Sequence, residues 1–133
     1  MIDRKDLTRI LTDKAPAPAG HYAQATVYDG LVYVSGQLPV SPDGVHDPEA
    51  SFEDQARRAI MNLLAIVKEA GSSPERILRV TAYIAGIELW PAFNTVFADM
   101  LGQARPARTV VPVPALHFGY LIELDAIAAV EPS

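Results

Sequence analysis

The chain contains no cysteine. That excludes a disulfide scaffold, a thiol nucleophile and a thiolate metal centre, and it fits a reducing cytosol. Positive charge is also scarce. Eleven Lys and Arg stand against sixteen Asp and Glu, giving a formal net charge of −5 and a pI near 5.0. The longest basic runs are the pairs Arg4-Lys5 and Arg57-Arg58, the second inside a helical pattern. The basic patch that a nucleic-acid binder needs is missing, so no nucleic-acid partner is expected. No apolar run approaches the ~20 residues of a membrane helix. No apolar signal region follows Met1-Ile2-Asp3-Arg4-Lys5-Asp6. No membrane association is expected, and the cytoplasm is the expected compartment. His21, His46 and His117 are dispersed, without the spacing of a zinc site, so no metal is expected. No glycine-rich phosphate loop is present, and Ser35-Gly36 lacks the context of a nucleophile elbow, so neither a cofactor nor serine acylation is expected.

What is there is a foldable core. Of the 133 residues 50% are hydrophobic, which predicts one domain spanning 1–133. Leu7 to Thr12 reads as a short edge strand. Ala15-Pro16-Ala17-Pro18-Ala19-Gly20 cannot continue as helix or central strand, because its prolines lack donors. Tyr22 to Tyr28 alternates as a strand, Asp29-Gly30 is a two-residue hairpin turn, and Leu31 to Gln37 returns. Leu38 to Glu49 is a loop. Ser51 caps a helix with its apolar stripe at Phe52, Ala56, Ala59, Ile60, Leu63 and Val67, stopped by Gly71. Ile77 to Ile84 is a strand with Leu78, Val80, Ala82 and Ile84 on one face. A second helix runs from about Leu89 to Leu101, and Ala107 to Val113 and Tyr120 to Val130 are the last strands. The order β-β-α-β-α-β-β predicts an α+β fold, one mixed sheet with two helices on one face.

The other face then collects Tyr22, Gln24, Thr26, Tyr28, Tyr33, Ser35, Gln37, Arg79, Thr81, Tyr83, Arg108, Val110, Glu123 and Asp125. It is too polar for a core and too tyrosine-rich for an ordinary wet face. An interface with ligand clefts between subunits is expected there. The plainer reading is a one-sided sheet that happens to carry tyrosines.

Two side chains on that face carry the chemistry. Arg108 offers a permanently charged fork for a carboxylate. By pattern alone, a lone strand arginine is more often an ion-pair partner. Glu123 sits on the polar side of an apolar strand, where burial would suit it to orient water or move a proton. It reads equally as a solvated carboxylate or as the partner of Arg108. Asp125 lies two residues on. Tyr22 and Asn94 are supporting candidates, and taken singly each is more simply structural. Arg108 and Glu123 are expected on two neighbouring strands, facing one small polar site.

Several segments, in this order and spacing, resemble the Rid/YjgF family of enamine/imine deaminases. They are Gly20-His21-Tyr22-Ala23-Gln24-Ala25, Val32 to Pro39, Gln55 to Gly71, Phe93-Asn94, Pro106-Ala107-Arg108-Thr109 and Ile122-Glu123-Leu124-Asp125-Ala126-Ile127-Ala128. The resemblance implies a chorismate-mutase-like fold and a homotrimer with a central barrel and three clefts between subunits. It implies that Arg108 binds the substrate carboxylate, that Glu123 handles the catalytic water, and that Tyr22 and Asn94 line the pocket. It implies hydrolysis of small 2-imino acids to 2-oxo acids and ammonia, without a cofactor. The family's usual Gly-Pro-Tyr-Ser stands here as Gly20-His21-Tyr22-Ala23, and its usual Leu-Pro as Leu116-His117, both near the expected cleft. The alternatives are a pathway-specific deaminase of aminomuconate- or aminoacrylate-type intermediates, and a non-catalytic binder of small 2-oxo acids.

Overall fold

The computed structural model describes residues 5–132. Arg4 of the first basic pair, and most of the N-terminal stretch read for a signal, lie outside them. Six strands form one sheet in the order β1-β2-β3-β6-β4-β5, with β1 Thr8–Ile10, β2 Ala25–Tyr28, β3 Leu31–Gln37, β4 Ile77–Ile84, β5 Ala107–Pro112 and β6 Ile122–Ala129. All neighbours are antiparallel except β4 and β5. Helices α1 (Phe52–Glu69) and α2 (Trp90–Leu101) pack on each other, and α1 also packs on β3 and β6. This is the α+β architecture of one mixed sheet and two helices.

Local chemistry accounts for most of these boundaries. Asp29 and Gly30 take φ of 51° and 81°, both left-handed, as the tight hairpin between β2 and β3 requires. Ser51 accepts a hydrogen bond from the Asp54 amide (3.1 Å) and caps α1. The Asp54 carboxylate turns to Arg57 instead of closing the box (3.4 Å). The stripe of α1 that includes Ile60, Leu63 and Val67 is fully buried against Val32, Val80, Ile122 and Leu124. Each such side chain contributes about 1.5–3 kcal/mol.

Three expectations about faces fail, each for a stated reason. First, β4 carries a bulge between Ile77 and Arg79. Ile77 therefore points into the core, and Leu78 lies exposed instead of beginning the inward row. Second, β3 is irregular between Val34 and Gln37, where two residues, Ser35 and Gly36, face Asp125 alone. Gln37 is thereby rotated to the buried side and leaves the open face. Third, β2 begins at Ala25, so Tyr22 and Gln24 precede the strand. Gln24 is buried, and its amide pins the lead-in. Nε2 donates to Thr12 O and Pro16 O (both 3.0 Å), and Oε1 accepts from Thr12 N (2.7 Å). This side chain is one of the ties that hold the proline-rich segment in place.

Candidate functional site

The expectation that Arg108 and Glu123 sit on neighbouring strands is overturned, because β4 lies between β5 and β6. The expectation that they share the open face fails as well. Arg108 pairs with Val80, and Val110 with Ala82, both fully buried against the helices. Glu123 pairs with Tyr83, and Asp125 with Thr81, on the opposite face. Register decides this, since paired residues point to the same side of a sheet. Within one chain, their strands are two spacings apart, roughly 10 Å, the two residues are also offset three positions along them, and the cation and the carboxylate look away from each other.

Glu123 opens into a cavity of about 780 Å³ lined by Tyr22, Ser35, Gly36, His46, His117 and Phe118, among others. The β3 irregularity builds this cavity. Ser35 Oγ donates to Ala23 O (2.6 Å) and its amide to Gln24 O (2.9 Å), tying the strand to the lead-in. Gly36 lets the carboxylate come close, since a Cβ there would stand 2.5 Å from Glu123 Oε2. Burial pushes the Glu123 carboxyl above its ordinary value; His117 works against that and Asp125 adds to it. Tyr22 forms part of the wall, and its hydroxyl accepts from the Ala19 amide (3.1 Å). On α1, Asn62 donates to Leu38 O (3.1 Å) and Val40 O (2.8 Å), which fixes the loop after β3.

Asp125 sits lower on the same open face. Burial raises its carboxyl, while hydrogen bonds from Tyr83 and Thr81 and the charge of Arg79 counter the rise. In turn Asp125 raises the Tyr83 phenol, more than burial does. This cluster lies outside the cavity wall.

Arg108 occupies a different setting. It lies on β5, at one end of the strand order. Its guanidinium stands 5.8, 5.4 and 5.1 Å from the ring centroids of Trp90, Phe93 and Phe97 on α2. Contacts of this kind hold a cation by the ring faces and leave its donors free. Among the described residues, no carboxylate lies within ion-pair distance of it. Asn94 lies four residues after Trp90 and three before Phe97, so it shares the helix stripe beneath Arg108. Arg108 and Asn94 thus form one group, and Tyr22 and Glu123 another.

The residues that sequence reasoning missed are His46, Phe118 and Tyr120. His46 lies 74 residues before Tyr120 and meets it and Phe118 only through the fold. Tyr120 is buried, with its hydroxyl 2.9 Å from His46 Nδ1. The one available signal was His117-Phe118-Gly119 ahead of the last strand. No group of three or more His, Cys, Asp or Glu that could hold a metal occurs among the described residues. No helix there is long and apolar enough to cross a membrane.

A family model described as endoribonuclease L-PSP matches residues 12–130. The protein HMF1 of Saccharomyces cerevisiae is 37% identical over 123 residues, covering 92% of this chain and 95% of that one. A 2-iminobutanoate/2-iminopropanoate deaminase of Capra hircus is 34% identical over 123 residues, covering 92% and 90%. Among solved structures, Escherichia coli TdcF with bound serine superposes with a TM-score of 0.86 at 34% identity, covering 93% of this chain and 99% of that one.

Proposed function

The chain belongs to the Rid/YjgF family, and on that premise we propose that it hydrolyses reactive 2-imino acids, formed from enamines, to 2-oxo acids and ammonia. The observation that carries the reading is Glu123, a half-buried carboxylate raised by burial and aimed into a walled cavity beside Tyr22. A carboxylate so placed accepts a proton from water more readily than an exposed one. Water adds to the C=N carbon as Glu123 takes one of its protons and passes it to nitrogen, giving a tetrahedral amino alcohol. Glu123 then takes the hydroxyl proton and delivers it to nitrogen as the C–N bond breaks, the C=O bond forms and ammonia leaves. The imine already reacts with water, so positioning and one acid/base group, worth ~10²–10⁴-fold, suffice.

Arg108 is assigned to the substrate carboxylate. It cannot reach Glu123 within its own chain, so the site is assembled from two copies. The Arg108–Asn94 edge of one protomer closes the Tyr22–Glu123 cavity of the next, three times around a homotrimer. The uncovered tyrosines Tyr28 and Tyr33 on the open face support packing of that face between copies. The acidic balance of the chain favours a small anion held by one arginine over a polyanion. The goat deaminase named above supports the reaction class.

The test is ammonia release from imines generated by an amino-acid oxidase, with Arg108→Ala and Glu123→Gln compared with wild type. Each substitution is expected to remove the acceleration while the oligomer stays intact. Full activity in Arg108→Ala would sink the carboxylate clamp.

A further inference from the structure

The cavity beside Glu123 is far larger than a small imino acid. Its volume of about 780 Å³ would take roughly twenty-five waters at ~30 Å³ each, within the range of pockets for ligands of drug size. One wall is unlike the rest. His117 lies near enough to Glu123 to act on its charge, and Phe118 follows it directly. The Phe118 ring stands 4.6 Å from the His46 ring, which stacks on Tyr120 at 5.7 Å and 24°. The wall therefore runs from the carboxylate through His117 and Phe118 to His46.

Two observations show that this wall is built and held. The Tyr120 hydroxyl accepts from the Asp47 amide (3.2 Å) and shares a hydrogen bond with His46 Nδ1 (2.9 Å). That holds the imidazole from behind. Phe118 also adopts φ 63°, ψ 12°, a left-handed conformation that bulky side chains rarely take, and its ring is 57% exposed. The ring meets His46 on one side and leaves much of its surface open to the cavity.

Resting on the deaminase reading, the geometry points to Phe118, beside His46, as the side-chain subsite: the preferred substrates are 2-imino acids with an aromatic side chain, whose ring packs on the exposed side of the Phe118 phenyl. Aromatic pairs at 4.5–7 Å separation gain beyond their area, and the apolar lining by Leu38, Val40 and Pro42 suits the remainder of such a group.

The experiment compares kcat/KM for imines generated from phenylalanine and from alanine, in wild type, Phe118→Ala and Phe118→Gly. In parallel, calorimetry measures Kd for phenylpyruvate and pyruvate on the same proteins. Wild type is expected to favour the aromatic imine, and both variants to lower that ratio about tenfold. Phe118→Gly relieves the left-handed backbone, so its melting temperature is expected to equal or exceed that of wild type while selectivity falls. Equal losses on both imines, or a melting temperature lowered in Phe118→Gly, would assign the ring to folding or to subunit contact and overturn the subsite. If no imine is turned over faster than in water, the deaminase reading fails by itself. The ratio of the two oxo-acid affinities then decides the subsite: a preference for phenylpyruvate lost in both variants upholds it, and no preference overturns it.

Discussion

The Glu123 cavity and the Arg108 edge differ in almost every physical respect. The cavity's walls are built within one chain. Gln24 ties its lead-in, Ser35 and Gly36 shape its floor, Asn62 fixes its loop and Tyr120 backs its far wall. The Arg108 edge has a cation, a helix stripe and three aromatic rings, but, among the described residues, no carboxylate within ion-pair distance of the cation. On the proposed reading, a pocket without its cation and a cation without its pocket are complementary halves, and the catalytic unit is larger than the chain. Each half is held by local chemistry suited to its own task.

The largest effect comes from recombining the halves. Arg108→Ala and Glu123→Gln proteins are each expected to lose on the order of 10² or more in kcat/KM. Co-refolded in equal amounts, they should recover about a quarter of wild-type activity, the chance that a given interface carries both intact groups in a random symmetric mix. Recovery of nothing would break the comparison, because the two groups would then have to serve within one chain.

Next comes Gly36→Ala. A Cβ 2.5 Å from Glu123 Oε2 must displace the carboxylate, so activity should fall roughly 10–10²-fold. Saturation by a 2-oxo acid should change less if the Arg108 edge supplies the carboxylate grip. Gln24→Leu strikes the cavity alone. It strips partners from the Thr12 and Pro16 backbone and should destabilise the protein by about 1–3 kcal/mol in urea unfolding.

The smallest effect carries a sign that can be worked out. Glu123 has a raised carboxyl in the folded chain, so its charge is unfavourable there at neutral pH. Below the unfolded value, near ~4.3, the group is neutral in both states and the penalty vanishes. Glu123→Gln should therefore raise Tm by a few degrees at most at pH 7, and by nothing near pH 4. Wild-type activity should decline on the acid side at a higher pH than an ordinary carboxylate would give.

Local features were legible in the sequence because local physics sets them. Asp29-Gly30, the Ser51 cap and the stripes of α1 and α2 each depend on residues a few positions apart. The four candidate site residues all fall at one half or the other. Their grouping was not legible. Alternation predicts faces only while the count is unbroken, and an extra residue at Leu78 and another at Ser35-Gly36 break it. That β5 joins β4 and not β6 is a long-range pairing, and its register, with Arg108 opposite Val80, puts Arg108 on the helix side. Gln24 was read as one more strand residue because nothing nearby shows that Thr12 and Pro16 will return to meet it.

The chain has a single tryptophan, and it is the one beside the Arg108 guanidinium, 39% exposed. All indole fluorescence of the protein therefore originates at the unfinished half. Emission should shift to shorter wavelength when a neighbouring copy dries that edge, and intensity should change again when a ligand draws the arginine off the ring. Assembly and occupancy become two optical signals, readable on the unlabelled protein in a cuvette.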